Sequence, residues 1–98
     1  MLTGKQKRFL RKQAHHLQAI FQVGKQGVNE QMIKQIIDVL EKRELIKVTV
    51  LQNCLTDKRT VATDLSEQTG AEVVQIIGRQ IVLYKQSTEN PTIDLVNL

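Results

Sequence analysis

The chain has 98 residues, of which 41% are hydrophobic and 24% charged, with a net charge of +4 and a single cysteine. This length suits one domain whose core needs neither disulfides nor metals. Cys54 alone excludes an internal disulfide and a cysteine-rich zinc site, and there is no apolar run suited to a membrane span or a signal peptide. We therefore expect a soluble, cytoplasmic protein that is a monomer in isolation.

Positive charge is concentrated in the first quarter of the chain. Residues 1–27 contain six Lys or Arg and no acid, whereas residues 28–98 contain eight Lys or Arg and ten acids. The six are Lys5, Lys7, Arg8, Arg11, Lys12 and Lys25. Charge of one sign at this density indicates an anionic partner. A merely solvated helix face is the alternative, but such faces usually mix both signs.

The first predicted helix runs to about Ala14 and begins at Thr3, which forms a capping-box pattern with Gln6. At about 100° per residue this helix has an apolar side and a basic side. The apolar side comprises Leu10, Ala14 and Leu17, and the basic side comprises Lys5, Arg8, Lys12 and His15. An amphipathic, basic helix is the result.

A short apolar strand over residues 19–23 should follow the first helix. It ends in the turn Gly24-Lys25-Gln26-Gly27, after which Asn29 should cap a second helix that ends near Arg43. Residues 45–52 alternate apolar and polar side chains with β-branched enrichment, which predicts a second strand.

The last part of the chain predicts a third helix over residues 57–69, closed by Gly70, and strands over residues 72–77 and 80–85. Gly78-Arg79 between these strands is typical of a type II′ hairpin. The order α-β-α-β-α-β-β indicates a single compact α/β domain with a four-stranded mixed sheet. We place the domain at residues 1–86 and a C-terminal tail at residues 87–98. Apolar residues in the tail leave open whether it is loose, docks or adds an edge strand.

The turn between the first strand and the second helix is the predicted anion site. Gly24 and Gly27 flank Lys25 and Gln26, so the backbone can take positive φ and no Cβ atom keeps a ligand at a distance. The following helix adds unpaired N–H groups and the positive end of its dipole. The alternative is that the two glycines serve turn geometry alone. Neither a Walker loop nor a dinucleotide-binding Gly-x-Gly-x-x-Gly is present.

Four segments carry a resemblance to a known family. They are LTGKQKRFLR with AHHL (residues 2–11 and 14–17), VGKQGV (23–28), ELIKV (44–48) and QIIGRQIVLYK (75–85). Together they resemble the CRM domain, the RNA-binding module of chloroplast splicing factors and of single-domain bacterial YhbY proteins associated with ribosome maturation. The resemblance implies a fold similar to the C-terminal domain of bacterial initiation factor three, with RNA contacted by the Gly-x-x-Gly loop and adjoining basic surface. In KH domains that loop joins two helices, whereas here it joins a strand to a helix, so the base-reading groove does not transfer.

We therefore predict an RNA-binding protein that is not an enzyme and needs no cofactor. The predicted RNA-binding residues are Lys5, Lys7, Arg8, Arg11, Lys12, His15, Gly24, Lys25, Gln26, Gly27 and Arg79. Ribosomal RNA or its precursor as the target, and maturation of the large ribosomal subunit as the role, are implied by the resemblance alone. The alternatives are an adaptor that binds an acidic protein partner without RNA contact and, for Arg79, a plain exposed turn residue. With three aromatic residues in the chain, recognition should rest on charge and RNA shape.

Two pairs of titratable residues could suggest metal binding or catalysis. As neighbours on a helix, His15 and His16 should point to different faces, with His15 toward RNA and His16 packed or hydrogen-bonded within the domain. Glu41 and Glu44 should lie on an exposed helix end, with no sign of burial and no nucleophile nearby. The sequence therefore predicts neither a metal site nor acid–base chemistry.

Overall fold

In the computed structural model, which describes residues 2–96, three helices and four strands alternate along the chain. The helices are α1 (Gly4–Ala14), α2 (Glu30–Arg43) and α3 (Lys58–Thr69), and the strands are β1 (Ala19–Val23), β2 (Leu45–Val50), β3 (Glu72–Ile77) and β4 (Gln80–Tyr84). This confirms the predicted fold, although β2 and β4 end slightly earlier than expected.

The strands form one mixed sheet in the order β1-β2-β4-β3. β1 and β2 are parallel, with Val23 opposite Val50, and α2 lies in the crossover between them. β4 is antiparallel to both β2 and β3, with Gln80 opposite Thr49. The turn after β1 and the turn before β4 therefore lie at the same end of the sheet, which we call the upper end.

The two faces of the sheet pack against different helices. Ile46 and Val48 of β2 point to one face and pack in the larger core cluster with apolar residues of α2 and α3. Leu45 points to the other face and packs with Leu10 and Ala14 of α1. This alternation follows from the period of two along a strand. It places α1 on the opposite side of the sheet from α2 and α3.

Local signals in the sequence explain where the helices begin and end. Thr3 and Gln6 form the predicted capping box at the start of α1, and the Asn29 side chain accepts a hydrogen bond at the start of α2. Asp57 caps α3, and Gly70 ends it with φ 80°. An L-residue with a side chain rarely adopts this left-handed conformation, which glycine takes without strain.

The hairpin between β3 and β4 turns at Gly78-Arg79 as predicted. Gly78 has φ 56°, and Arg79 is not among the positive-φ residues, which matches a type II′ turn rather than type I′. The hairpin is fixed at the upper end of the sheet by two hydrogen bonds. The Val50 N–H donates to the Arg79 carbonyl at 2.7 Å, and Lys58 Nζ donates to the Gly78 carbonyl at 2.6 Å.

The prediction that Glu41 and Glu44 lie on an exposed helix end is wrong for Glu44, whose side chain is 0% exposed. Its carboxylate accepts hydrogen bonds from the backbone N–H groups of Ser87, Thr92 and Ile93 at 2.8 to 2.9 Å, and from the Thr92 hydroxyl. Glu44 also has φ 65°. The burial of this charge is tolerated because both carboxylate oxygens accept hydrogen bonds from the tail.

Glu41 binds the same tail one helical turn earlier, although it is only half-buried. Its carboxylate accepts hydrogen bonds from the hydroxyl groups of Ser87 and Thr88 and from the backbone N–H groups of Thr88 and Glu89. Its role is therefore structural, because every one of these donors belongs to the tail and fixes its first turn.

The tail was left undecided by the sequence, and its described residues dock on the domain without forming a strand. Ile93 and Leu95 pack against the core cluster under α1, and Gln6 Nε2 donates to the Leu95 carbonyl at 3.3 Å. Leu98, which could also have helped the tail to dock, lies outside the described residues. The division between a domain and a tail at residue 86 stays a prediction.

Acidification is expected to weaken the attachment of the tail. Hydrogen bonds from Ser87, then Thr88 and Glu89, lower the pKa of Glu41 to about 2. Burial raises the pKa of Glu44, but hydrogen bonds from the tail outweigh it, and the pKa is lowered. Since glutamates in unfolded chains have a pKa of about 4.3, both groups stabilise the fold above that pH. This stabilisation is lost as the pH falls below that value, and for Glu41 the loss is complete only below its lowered pKa of about 2.

Urea unfolding at about pH 7 and about pH 3 measures this effect. Between these pH values, wild type should lose more unfolding free energy than Glu41→Gln, because glutamine does not titrate. Glu67→Gln, which changes an exposed glutamate of α3, should behave like wild type. Equal losses in wild type and Glu41→Gln would contradict the prediction.

Candidate nucleic-acid interface

Helix α1 covers only the lower part of its face of the sheet. Leu10 packs with Leu45 and Tyr84, which lie opposite each other at the lower end of β2 and β4. The backbone N–H of Leu2 donates to Glu72 Oε1, at the start of β3, at 3.2 Å. The upper part of the face is left uncovered, and the basic side of α1 borders it.

Between the basic side of α1 and the uncovered strands lies a groove of about 830 Å³. Four basic side chains line it, namely Arg8, Arg11 and Lys12 of α1 and Lys47 of β2. The other lining residues are Ala14, His15, His16, Gln75, Ile77, Gly78 and Gln80. No carboxylate is among the lining residues, so the groove is a site of concentrated positive potential in the described part of the chain.

The groove brings together four of the residues predicted to bind RNA: Arg8, Arg11, Lys12 and His15. Seven others do not line it: Lys5, Lys7, Gly24, Lys25, Gln26, Gly27 and Arg79. Sequence reasoning missed the contribution of the sheet, which consists of Lys47, Gln75, Ile77 and Gln80. Lys47 alternates with buried residues of β2, so the sequence places it on the face of the strand opposite to theirs. The pattern could not show that α1 leaves that part of the face open.

The two histidines both line the groove, and His16 also borders a separate cavity beside Leu17 and Ile20. α1 ends at Ala14, and His15, its C-cap, keeps helical backbone angles of φ −55° and ψ −32°. Both side chains are exposed, and their rings meet edge to face with centroids 5.5 Å apart. The expected packing of His16 inside the domain is therefore wrong. Across residues 2–96 there is no group of three or more His, Cys, Asp or Glu that could hold a metal ion.

The glycine turn between β1 and α2 is tighter than the sequence suggested. Gly27 has φ 72°, and its N–H donates to the Gly24 carbonyl at 3.0 Å. Gly24 does not have positive φ, and a Cβ there would make ordinary contacts of 3.5 Å with Asn53 and Leu51. Only Gly27 is therefore required by backbone conformation, and its N–H is already used within the turn.

The backbone N–H groups at the start of α2, next to this turn, are also partly hydrogen-bonded within the protein. Asn29 Oδ1 accepts the Met32 N–H at 2.9 Å, and Glu30 places a carboxylate in the first helical turn. A negative charge there opposes binding of an anion at the helix N-terminus. Lys25 and Gln26 are exposed at the tip of the turn. Any phosphate contact at this turn therefore depends more on these two side chains than on backbone N–H groups.

The glycine turn and the groove share the upper end of the sheet. The Leu51 N–H donates to the Val23 carbonyl at 2.8 Å just before the turn, and Gly78 of the hairpin lines the groove. β1 and β4 are separated by β2, so their ends are about 10 Å apart at the usual strand spacing. One continuous basic surface that joins Lys25 to α1 stays a prediction.

Comparison with known proteins agrees with this arrangement of elements. A sequence model of the CRS1/YhbY (CRM) domain matches residues 2–85. The chain belongs to this family. The match includes all seven helices and strands, the glycine turn and every residue of the groove. The resemblance that the four sequence segments indicated is thus confirmed.

Individual CRM-domain relatives are similar over most of their length. The "Probable RNA-binding protein YqeI" of Bacillus subtilis is 64% identical over 97% of this chain and 99% of its own. An "RNA-binding protein" of Haemophilus influenzae is 38% identical over 90% of this chain and 89% of its own. The solution structure of the hypothetical protein SAV1595 from Staphylococcus aureus is 61% identical, with a TM-score of 0.81 over 97% of this chain and 99% of that one.

The relatives named here are described as RNA-binding proteins and not as enzymes. This agrees with the prediction that the chain is not an enzyme.

None of the helices within residues 2–96 is long and apolar enough to cross a membrane.

Proposed function

We propose that this protein binds RNA in the cytoplasm, that its target is ribosomal RNA or a ribosomal precursor, and that it assists maturation of the large ribosomal subunit. Relatives named as RNA-binding proteins support the first part of this proposal. The ribosomal target rests on the family resemblance.

The observation that carries the proposal is the groove beside α1. Arg8, Arg11 and Lys12 approach it from the helix, and Lys47 approaches it from the sheet, without a carboxylate among the lining residues. Cations arranged in this way neutralise successive phosphates of an RNA backbone and release the counterions that those phosphates had condensed. Arg side chains also donate paired hydrogen bonds to phosphate oxygens.

A second contact region is proposed at the glycine turn. Lys25 and Gln26 are exposed there, and the space around the Gly27 α-carbon is open. Lys5, Lys7 and Arg79 extend the positive charge beyond the groove. In this arrangement the groove is the main contact, and the turn adds one phosphate contact at the upper end of the sheet.

The contribution of the turn is tested by replacing its lysine. Lys25→Ala should weaken RNA binding about fivefold at about 0.1 M salt and make the slope of log affinity against log salt shallower by about 0.7, because one phosphate contact is lost. Lys34→Ala is the matched control, since Lys34 is an exposed lysine of α2 on the other side of the sheet. Equal effects of the two variants would exclude the turn as a contact.

A charge comparison at Gly27 tests the same turn without removing a cation. Gly27→Asp places a carboxylate in the turn, and Gly27→Asn places a neutral group of the same shape there. Asp and Asn both tolerate positive φ better than most residues. Because the two variants share the same backbone strain, the difference between them measures the effect of the charge. We expect Gly27→Asp to bind RNA more weakly than Gly27→Asn.

The ribosomal part of the proposal needs a measurement in cells. Crosslinking followed by sequencing of the bound RNA should recover precursors of large-subunit ribosomal RNA. Recovery of messenger RNA alone would contradict the maturation role but retain RNA binding. Failure to bind any single-stranded or structured RNA at low salt would instead favour the adaptor that binds an acidic protein.

A further inference from the structure

The groove contains hydrogen-bonding side chains that binding to phosphate does not require. We propose that it receives one unpaired nucleotide of the bound RNA, with the base against Ile77 and its edge hydrogen-bonded by Gln75 and Gln80. This inference rests on the RNA binding proposed above, and it adds a contact that distinguishes one base from another.

The two glutamines are placed to contact the same ligand. Gln75 lies opposite Val82, and Gln80 lies opposite Ile77, so the glutamines are diagonal neighbours on one face of the β3–β4 pair. Diagonal neighbours in an antiparallel pair are about 7 to 8 Å apart. Both side chains are half-buried, and neither amide is hydrogen-bonded within residues 2–96. Each amide offers a donor and an acceptor, the combination that matches the edge of a base.

The floor of the groove suits the face of a base. Ile77 is 56% exposed and lines the groove, so it offers an apolar surface on which a base can pack. Arg8, Arg11 and His15 of the α1 side line the same groove. Arg and His both stack on unpaired bases in RNA complexes. The volume of about 830 Å³ lies within the range of about 300 to 1,000 Å³ that is typical of small-molecule pockets.

The charge of the groove selects a nucleotide over a neutral ligand. Among residues 2–96, four cations and no carboxylate line it, so a base that stacks on Arg8 or Arg11 has its flanking phosphates beside Lys12 and Lys47. A base within a duplex cannot enter, because its Watson–Crick edge is occupied and the major groove of A-form RNA is too narrow for side chains. The occupant is therefore an unpaired nucleotide in a bulge, loop or single strand.

The test compares RNA hairpins that differ at one position. One hairpin has a fully paired stem, and four others carry a single unpaired A, G, C or U in that stem. Wild type should bind at least one bulged hairpin about tenfold more tightly than the paired one, and the four bulges should differ among themselves by about tenfold. The Gln75→Leu/Gln80→Leu variant should bind all four bulges alike while keeping its affinity for the paired hairpin.

Two further variants complete the comparison. Gln31→Leu/Gln35→Leu makes the same chemical change on exposed residues of α2 and should behave like wild type. Ile77→Ser, a change at an exposed position, should weaken binding of bulged hairpins only. Free nucleoside monophosphates should compete poorly, since they lack the neighbouring phosphates. Efficient competition would make the free nucleotide the ligand and overturn the proposal.

The possible failures are distinguishable. If wild type binds RNA but treats paired and bulged hairpins alike, the unpaired-nucleotide site is wrong while RNA binding stands. If wild type distinguishes the bulges and the glutamine variant does so equally, base recognition lies elsewhere on the protein. If wild type binds none of the hairpins at low salt, the proposed function itself fails.

Discussion

Replacing Arg8, Arg11 and Lys12 together with glutamine is expected to lower RNA affinity by about two orders of magnitude at about 0.1 M salt. The three side chains line one wall of the groove, and each carries a positive charge that can neutralise a phosphate. The slope of log affinity against log salt should become shallower by about 2, because three contacts of about 0.7 each are lost.

This substitution should leave the fold intact. Arg8, Arg11 and Lys12 are exposed, and glutamine is as good a helix former as either residue it replaces. Fluorescence anisotropy titrations over a range of salt concentrations give both the affinity and the slope. Thermal unfolding of the same variant should match that of wild type to within a few degrees.

A matched triple substitution separates the groove from net charge. Lys34, Lys42 and Arg59 are exposed on α2 and α3, on the other side of the sheet. Replacing these three with glutamine changes the net charge by the same amount. We expect a loss of affinity of less than about threefold, from the weaker long-range field alone. Equal losses in the two triple variants would show that overall charge, rather than the groove, governs binding.

The sequence predicted the elements well because their signals are local. Caps such as Thr3 and Asn29, alternation along β2, and glycines at turns such as Gly78 act within a few residues of their own positions. The basic side of α1 could also be predicted, since its cations recur at helical spacing. These features needed no knowledge of how the elements pack.

The groove could be predicted only in part, because four of its eleven lining residues come from the sheet. Lys47 and Gln80 read as ordinary polar positions of two strands, and Gln75 reads in the same way. Their importance follows from the strand order, which brings β2 next to β4, and from the packing of α1 against the lower end of the sheet. Both depend on long-range packing that has no local signature.

The burial of Glu44 could not be predicted from the sequence either. At the end of a helix rich in charge, a glutamate reads as exposed, and left-handed backbone at that position usually calls for Gly or Asn. Its hydrogen-bonding partners Ser87, Thr92 and Ile93 lie more than 40 residues further along the chain. No local pattern connects them, so the buried carboxylate was missed.

Replacement of Glu44 by glutamine should lower the free energy of unfolding by about 2 to 4 kcal/mol, because a buried carboxylate loses charge-assisted hydrogen bonds. Oε2 accepts the Ser87 N–H at 2.9 Å, and Oε1 accepts both the Thr92 N–H and the Ile93 N–H. Glutamine has one oxygen, so its NH₂ group must face at least one N–H donor. Urea unfolding measures the loss, with Glu67→Gln as the exposed control.

Two further variants separate the carboxylate from the backbone strain at φ 65°. Glu44→Ala removes the carboxylate and keeps the strain, whereas Glu44→Gly removes both. Glu44→Gly should therefore be more stable than Glu44→Ala by about 1 kcal/mol, although both are less stable than wild type. RNA affinity of whichever variants remain folded should match wild type, since Glu44 does not line the groove. Wild-type stability in Glu44→Gln would contradict this role, because the tail would then be held by apolar contacts of residues such as Ile93 and Leu95 rather than by the buried charge.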